Sequence, residues 1–269
     1  MASTQAGAAV AKTLFDDLGS SGTVLLRTVF AAGALMLIWR PSVAGHGRAD
    51  LLTAAAFGLA LAAMNWSFYA AIDRIPLGTA VTIEFIGPLA VAVLGSRRPL
   101  DFTWIVLAAA GILLLARGGG HVETAGVLLA LLAGFFWAMY ILLSARTGRA
   151  FPGGRGLALA MVFGSVVLLP VGVADAGDAL LDPKLLAIGF GVAMLSSAIP
   201  YSLELEALRR LPSQVFGILL SMEPAMAALA GFLVLGEGLR LRDAVAIALV
   251  AAASAGASLT AAGQTAPEA

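Results

Sequence analysis

Two carboxylates stand beside prolines inside strongly apolar stretches of this sequence. Glu84 precedes Pro88 by four residues, and Glu223 is followed directly by Pro224. Proline removes a backbone N–H and frees a carbonyl one turn earlier, and a carboxylate at such a break can bind an ammonium group. We therefore predict that Glu84 and Glu223 contact a polar ligand and that Pro88 and Pro224 break or gate their helices. The alternative is a structural kink beside a satisfied carboxyl group.

Polar and aromatic side chains recur at helical spacing in three further apolar segments. Spacings of three, four and seven residues place side chains on one helix face. An apolar cavity with aromatic walls and a few carboxylates suits a zwitterion that carries a side chain. The alternative for the aromatic residues is a belt at the membrane interface. The predicted lining residues are Asn65, Trp66, Tyr69, Trp137, Tyr140, Tyr201 and Glu204.

Two cations also lie inside apolar segments. Arg27 and Glu84 fall at similar depths, which allows an ion pair between them. The alternative is that the side chains of Arg27 and Lys12 extend outward to the membrane surface. For Lys12 we favour this alternative, with Asp16 and Asp17 as its partners.

Enzymatic sites find little support in the sequence. The chain contains no cysteine, and its two histidines, His46 and His121, lie in glycine-flanked polar stretches. Thiolate metal sites and a cysteine nucleophile are therefore excluded, and no phosphate-binding glycine loop of the Walker type occurs. A formal net charge of zero without a basic block argues against a nucleic-acid partner. We expect no catalytic residues, no metal and no cofactor.

The elements that position these residues are transmembrane helices. Of 269 residues, 60% are hydrophobic and 12% are charged, which is too few charges for a soluble surface. A bilayer core about 30 Å thick needs roughly 20 apolar residues to span it. The predicted fold is an all-α integral membrane protein of about ten helices joined by short connections. Their predicted extents are 1–15, 21–39, 51–72, 77–95, 102–116, 124–144, 157–174, 185–208, 214–235 and 244–262.

Positive charges are distributed unevenly between the two sides of this helical array. Most arginines fall in one alternate set of connections, and most acidic loop residues fall in the other. Because cytoplasmic loops keep the excess of arginine and lysine, we expect a multi-pass protein of the bacterial inner membrane with both termini, including the tail 263–269, in the cytoplasm. Residues 1–15 would reach only about 22 Å as a helix, so the first helix is expected to be truncated or preceded by residues missing from this chain.

The two halves of the chain share a pattern. Pro88 lies 12 residues beyond Pro76, and Pro224 lies 12 residues beyond Pro212; an Arg-x-Pro string opens each copy. A repeat of five helices is odd, so the second copy enters the membrane from the opposite face. We predict inverted repeats over 1–116 and 124–262, an arrangement in which interrupted helices near the midplane indicate a transporter's binding site.

Longer strings carry a family resemblance that covers Ala2 to Leu259. The strings are Ile75-Pro76-Leu77-Gly78, Glu84-Phe85 with Gly87-Pro88-Leu89-Ala90-Val91, Arg97-Arg98-Pro99, Pro200-Tyr201-Ser202-Leu203-Glu204, and Ser221-Met222-Glu223-Pro224-Ala225 leading to Leu235-Gly236-Glu237. With them the chain resembles the EamA-type drug/metabolite transporter superfamily, especially its threonine/homoserine and aromatic amino-acid exporters. One departure is Leu94-Gly95-Ser96, which replaces the Leu-Gly-Glu ending in the first half and weakens the case for one gating role in both halves.

The resemblance implies ten helices in two inverted repeats around a central cavity, with Glu84, Glu204 and Glu223 at or near it. It also implies a secondary transporter that exports amino acids of the threonine/homoserine, methionine or aromatic type by alternating access. Another small metabolite, a cationic drug or a nucleotide sugar is the alternative substrate, and a non-transporting membrane scaffold is the alternative class. Desolvation favours the protonated form of a carboxyl group, so coupling to protons stays open beside facilitated diffusion.

Overall fold

The computed structural model describes residues 2–94, 99–116, 123–201, 203 and 219–262, and all the regular structure within these ranges is helical. A 3-10 turn, Gly177–Leu181, and a π-helical segment, Met194–Ala198, flank the ninth helix. The α-helices are α1 (Ala2–Lys12), α2 (Phe15–Trp39), α3 (Arg48–Ile72), α4 (Leu77–Glu84), α5 (Ile86–Leu94), α6 (Pro99–Ala116), α7 (Thr124–Ala150), α8 (Arg155–Ala176), α9 (Pro183–Ala193), α10 (Glu223–Leu235) and α11 (Leu241–Ala262).

Six helical stretches in these ranges are long and apolar enough to cross a membrane: Phe15–Trp39, Arg48–Ile72, Thr124–Ala150, Arg155–Leu181, Pro183–Tyr201 and Leu241–Leu259. Three shorter apolar stretches, Leu77–Val91, Phe102–Leu115 and Glu223–Leu235, lie between them in the chain. Together with α1 they follow the predicted order of ten segments, which confirms the all-α membrane fold. Large apolar side chains such as Leu128, Val166 and Leu233 are exposed on the outer faces of the helices, where hydrocarbon is their natural surrounding.

The fourth predicted segment is interrupted. It consists of α4 and α5, separated at Phe85, whose backbone N–H donates to the Val81 carbonyl at 3.0 Å. The break lies three residues before Pro88 because proline cannot donate to the carbonyl one turn earlier, which here belongs to Glu84. The ninth segment follows the same rule, since a turn at Ser221 and Met222 comes directly before α10 and its Pro224.

Other boundaries also differ from the sequence prediction. The second helix begins at Phe15 and not at residue 21, because the chain kinks at Gly19 with φ 65° and ψ 168° and continues as helix. Only glycine adopts that combination without strain. The sixth predicted segment extends to Ala150, well beyond residue 144. The proposed tail at 263–269 lies outside the described residues.

The contacts between helices are symmetric between the two halves of the chain. When each of the first five segments is matched with its counterpart among the second five, a contact between two segments has an equivalent between their counterparts. Corresponding helices contact each other as α2 with α8, α4 with α10, and α6 with α11. The contact of α3 with α7 has its counterpart in the contact of α1 with α9 and the π segment. Likewise, α3 with α8 corresponds to α9 with α2, and the packing of α4 and α5 on α7 corresponds to that of α10 on α1.

Glycines hold the interrupted segment tightly against the second half of the chain. A Cβ on Gly134 of α7 would lie 2.7 Å from the Glu84 carbonyl oxygen. A Cβ on Gly87 of α5 would collide with the backbone of Gly134 in return. Small residues permit this close backbone approach between helices. The break between α4 and α5 is therefore fixed against the middle of α7.

Candidate functional site

A cavity of about 390 Å³ lies where α1, α2, α3, α7, α10, the π segment and the interrupted α4–α5 pair meet. Most of its wall area is apolar, although about half of the lining side chains carry a polar or charged group, a combination that suits a polar small molecule. The lining residues are Thr4, Gln5, Ala8, Arg27, Met64, Asn65, Phe68, Val81, Glu84, Pro88, Trp137, Tyr140, Ile141, Ser144, Ser196, Tyr201, Leu220 and Glu223.

The cavity brings together most of the residues singled out from the sequence. Asn65, Glu84, Pro88, Trp137, Tyr140, Tyr201, Glu223 and Arg27 all line it. Trp66 does not, because its indole N–H donates to Ser21 Oγ at 3.2 Å on the side of α2. Tyr69 is fully buried behind Arg27, and Pro224 is buried in the first turn of α10 without lining the cavity. Glu204 lies outside the described residues.

The acidic part of the cavity is formed by two glutamates from corresponding segments. Glu84 ends α4 and is 7% exposed, and Glu223 begins α10 and is 6% exposed. Among the described residues nothing forms a hydrogen bond or ion pair with the Glu84 carboxylate, and the charges of Glu84 and Glu223 are close enough to interact. A buried carboxylate in this position is stable either when it is protonated or when a cation binds beside it.

Arg27 of α2 is the one arginine or lysine among the described residues that line the cavity. Its Nε donates to Ser197 Oγ at 2.8 Å and its Nη2 to the Ser196 carbonyl at 3.4 Å. Its Nη1 donates to the Tyr69 hydroxyl at 3.2 Å, and its Cζ lies 5.3 Å from the centre of the Tyr69 ring. Arg27 is only 6% exposed. The guanidinium group is therefore held from one side by the π segment and α3.

The direct ion pair expected between Arg27 and Glu84 is not formed. No nitrogen of Arg27 lies within 4.0 Å of a carboxylate oxygen of the residues that the structure describes. The physical reason is that the π segment offers Ser196 and Ser197 as nearer partners. Arg27 and Glu84 instead face the same cavity, across which their charges interact.

Aromatic residues and one amide complete the walls. The Trp137 ring meets the Phe85 ring edge-on, with centroids 5.3 Å apart, so it packs against the residue at the helix break. Tyr140 packs at 5.3 Å against Phe57 of α3. Asn65 donates from Nδ2 to the Leu61 carbonyl at 2.8 Å. Its side-chain oxygen accepts no hydrogen bond from a described residue and remains able to accept one from a ligand.

Several lining residues were missed from the sequence. On α3 the cavity face is formed by Met64, Asn65 and Phe68, one residue earlier than the predicted face. The prediction followed polarity and took Trp66 and Tyr69, which the fold turns toward α2 and Arg27. Both sets have spacings of one and four residues, so periodicity alone does not distinguish the two faces. The remaining missed residues are Thr4, Gln5, Ala8, Val81, Ile141, Ser196 and Leu220.

A second polar cluster joins three segments away from the cavity. Lys12 Nζ, at the end of α1, lies 2.8 Å from Glu237 Oε1 and 3.4 Å from the Ile75 carbonyl. Glu237 Oε2 accepts the backbone N–H of Leu77, the first residue of α4, at 2.8 Å. The expectation that Lys12 extends to Asp16 and Asp17 is wrong, because the fold brings a carboxylate from the other half of the chain within reach. We call this contact the Lys12–Glu237 link.

These observations define an all-helical, multi-pass membrane protein with a polar central cavity. The model of the EamA-like transporter family matches residues 124–259. The chain is 46% identical over 268 residues to the threonine/homoserine exporter RhtA of Salmonella typhimurium strain LT2, an alignment that covers 97% of this chain and 89% of that protein. Identity to RhtA of Escherichia coli K12 is 45% with the same coverage. The chain therefore belongs to the EamA-like transporter family, as its sequence strings predicted, and that family is one of transporters and not of enzymes.

Two further similarities concern a more distant relative and a solved structure. The uncharacterized transporter YwfM of Bacillus subtilis is 30% identical over 193 residues, which cover 68% of this chain and 65% of that protein. A solved crystal structure with 16% sequence identity aligns with a TM-score of 0.63 over 98% of this chain and 99% of the other. At that identity the structural match concerns the fold alone.

Proposed function

We propose that this protein is a secondary transporter that exports small amino acids of the threonine and homoserine type by alternating access. The observation that carries the proposal is 45–46% identity, over nearly the whole chain, to proteins named threonine/homoserine exporters. The cavity supports it, because about 390 Å³ is near the lower end of the range of roughly 300–1,000 Å³ found for small-molecule sites. A small metabolite fits that volume better than a drug-sized cation or a nucleotide sugar.

The charges of the cavity also favour an amino acid over the alternative substrates. Glu84 and Glu223 offer a carboxylate environment for the substrate ammonium group, and the unpartnered side-chain oxygen of Asn65 offers a further acceptor. A nucleotide sugar would require several cations, whereas Arg27 is the one arginine or lysine among the described lining residues. Aromatic side chains of Trp137 and Tyr140 would cover the apolar part of the substrate.

The proposal includes an architecture and an orientation. The exchange of helix contacts between the two halves supports inverted repeats at 1–116 and 124–262. The arginine distribution supports a bacterial inner-membrane protein with both termini in the cytoplasm. In that orientation the described lining residues of α1 and α7 lie toward the cytoplasmic side, and the Lys12–Glu237 link lies toward the periplasmic side. Because the link joins the periplasmic ends of α1 and α4, we infer that this conformation is inward-facing.

Counterflow in proteoliposomes tests the proposal. Vesicles that contain the purified protein and unlabelled threonine should accumulate labelled threonine or homoserine faster than empty vesicles do. Methionine, phenylalanine, a cationic drug and a nucleotide sugar serve as competing substrates. If threonine and homoserine move no faster than in empty vesicles, the proposed substrate is wrong.

Substitution of the cavity carboxylates distinguishes a transporter from a non-transporting membrane scaffold. Glu84→Gln or Glu223→Gln should abolish most of the counterflow, whereas Glu123→Gln, an exposed carboxylate at the start of α7, should leave it unchanged. A scaffold would tolerate all three changes. An imposed pH gradient that alters neither the rate nor the final accumulation would indicate facilitated diffusion and exclude proton coupling.

A further inference from the structure

Among the described residues, none places a carboxylate in direct contact with the buried guanidinium group of Arg27. Its side chain is 6% exposed and lines the cavity, and no described carboxylate oxygen lies within 4.0 Å of it. A positive charge removed from water is costly unless a counter-charge is bound. The cavity wall therefore carries a cationic position whose partner is not supplied by the described part of the chain.

The geometry of this cation is fixed by its neighbours. A guanidinium has five N–H donors, and three are engaged by Ser197, Ser196 and Tyr69, one from each nitrogen. The two serines are 1% exposed and Tyr69 is fully buried, so these partners are themselves held in place. Two N–H donors, one on each terminal nitrogen, remain for a ligand. Such preorganisation lowers the entropy that a ligand must lose on binding.

The remaining donors suit a carboxylate. Arginine binds carboxylates through two parallel N–H···O bonds, a geometry that lysine does not reproduce. The same cavity contains Glu84 and Glu223, so it presents one cationic and one anionic position within about 390 Å³. An α-amino acid carries the complementary charges, with its carboxylate and ammonium groups on one carbon atom.

We propose that Arg27 binds the α-carboxylate of a zwitterionic amino acid and makes a free carboxylate a requirement for transport. This inference rests on the proposed function and deepens it. In this arrangement the substrate lies between Arg27 and the glutamates, which line the same cavity. Tyr69 is a positioning residue, since it holds Nη1 of Arg27 without lining the cavity.

Substrate analogues test the inference with the unaltered protein. Threonine, threoninamide and 1-amino-2-propanol share an ammonium group and a hydroxyl group, but only threonine has the carboxylate. In competition against labelled threonine, the two analogues should bind at least roughly 30-fold more weakly, as expected when one partner of a buried charge pair is removed. Analogues that compete as well as threonine would overturn the inference and leave the proposed function intact.

Variants test the same point from the protein side. Arg27→Gln should weaken threonine binding by a similar factor and leave the weak binding of threoninamide within about twofold, so that the preference for threonine disappears. Arg27→Lys should restore part of the preference through charge alone. The matched control is Arg74→Gln, a surface arginine beside Asp73 that should change neither affinity.

The outcomes separate the two proposals. If the unaltered protein moves no amino acid, the proposed function fails. If it moves threonine and threoninamide equally, only the role of Arg27 fails. If Arg27→Gln does not fold, the analogue comparison on the unaltered protein still decides, because it needs no variant. A purely structural arginine predicts that removal of the substrate carboxylate has no effect.

Discussion

Lys12 Nζ and Glu237 Oε1 are 2.8 Å apart although 225 residues separate them in the chain. The same carboxylate accepts the backbone N–H of Leu77. The Glu237 side chain, two residues beyond the end of α10, therefore connects this segment to the end of α1 and to the start of α4. Since Thr4, Gln5 and Ala8 of α1 line the cavity and Lys12 does not, the link secures the end of the helix bundle away from these lining residues.

Glu237→Gln should loosen that end of the bundle. The amide retains an acceptor for Leu77 but loses the charge that attracts Lys12. The pair is 23% and 17% exposed, so we expect a shift of about 1 kcal/mol, or severalfold in the ratio of the two conformations. The chain has no cysteine, so a single Ser144→Cys reporter in the cavity can be labelled with maleimide without background. The labelling rate of this cysteine should be lower in Glu237→Gln than in the protein with Glu237.

A charge exchange supplies the control for this prediction. Lys12→Gln should have the same effect as Glu237→Gln, whereas the double variant Lys12→Glu with Glu237→Lys should restore only part of the original labelling rate, because a lysine at position 237 cannot accept the Leu77 N–H. Unchanged labelling in both single variants would show that the link does not influence access to the cavity.

Gly134→Ala should displace the interrupted segment. The added Cβ would lie 2.7 Å from the Glu84 carbonyl oxygen, and overpacking of this kind typically destabilises a protein by about 1–3 kcal/mol. The melting temperature in detergent and the counterflow rate should both fall. Gly191→Ala in α9, where a Cβ meets nothing within 4 Å, is the matched control; it should leave the counterflow rate unchanged and should not lower the melting temperature, because alanine favours a helix more than glycine does.

The tryptophans provide an optical test of the cavity wall. Trp137 lines the cavity, whereas Trp66 is bonded to Ser21 outside it. Substrate binding should change the intrinsic fluorescence of the protein, and this change should be lost in Trp137→Phe and kept in Trp66→Phe. The reverse result would place the ligand on the other face of α3.

Pro88→Ala should straighten the fourth segment. The alanine N–H can donate to the Glu84 carbonyl, four residues earlier. Proline has no N–H and cannot form this hydrogen bond. We expect a higher melting temperature together with a severalfold loss of transport, because Glu84 would move from the cavity wall and Phe85 from its contact with Trp137. Pro170→Ala, inside α8 and away from the cavity, is the control and should raise stability without a loss of transport. Unaltered transport in Pro88→Ala would argue that the break is dispensable.

The apolar segments, the helix breaks at proline and the buried charges were predictable from the sequence, because each depends on residues that are close together in the chain. Bilayer thickness fixes the length of apolar segments, so their number and order followed from composition. The chemistry of proline located both helix breaks to within a few residues. The cost of buried charge singled out Glu84, Glu223 and Arg27, and all three line the cavity.

Side-chain contacts between segments that are far apart in the chain could not be predicted in the same way. Nothing local indicates that Lys12 meets Glu237 and not the nearby Asp16, because the choice depends on how the two halves of the chain pack. On α3, polarity favoured Trp66 over Met64, and only the position of α2 shows that the indole faces away from the cavity. The irregular turn also brings Ser196 and Ser197 into contact with Arg27, and the spacing of an α-helix does not predict this contact.

That turn, Met194–Ala198, closes with a bond from the Ile199 N–H to the Met194 carbonyl, five residues back. It therefore contains one residue more than an α-helix of the same rise would need. In an alignment this position would appear as a single-residue insertion. In a relative without the insertion, the side chains that follow it, Tyr201 included, would lie about 100° further round the helix axis. Presence or absence of this extra residue should thus distinguish transporters that share the serine-held arginine from those that must hold a substrate in another way.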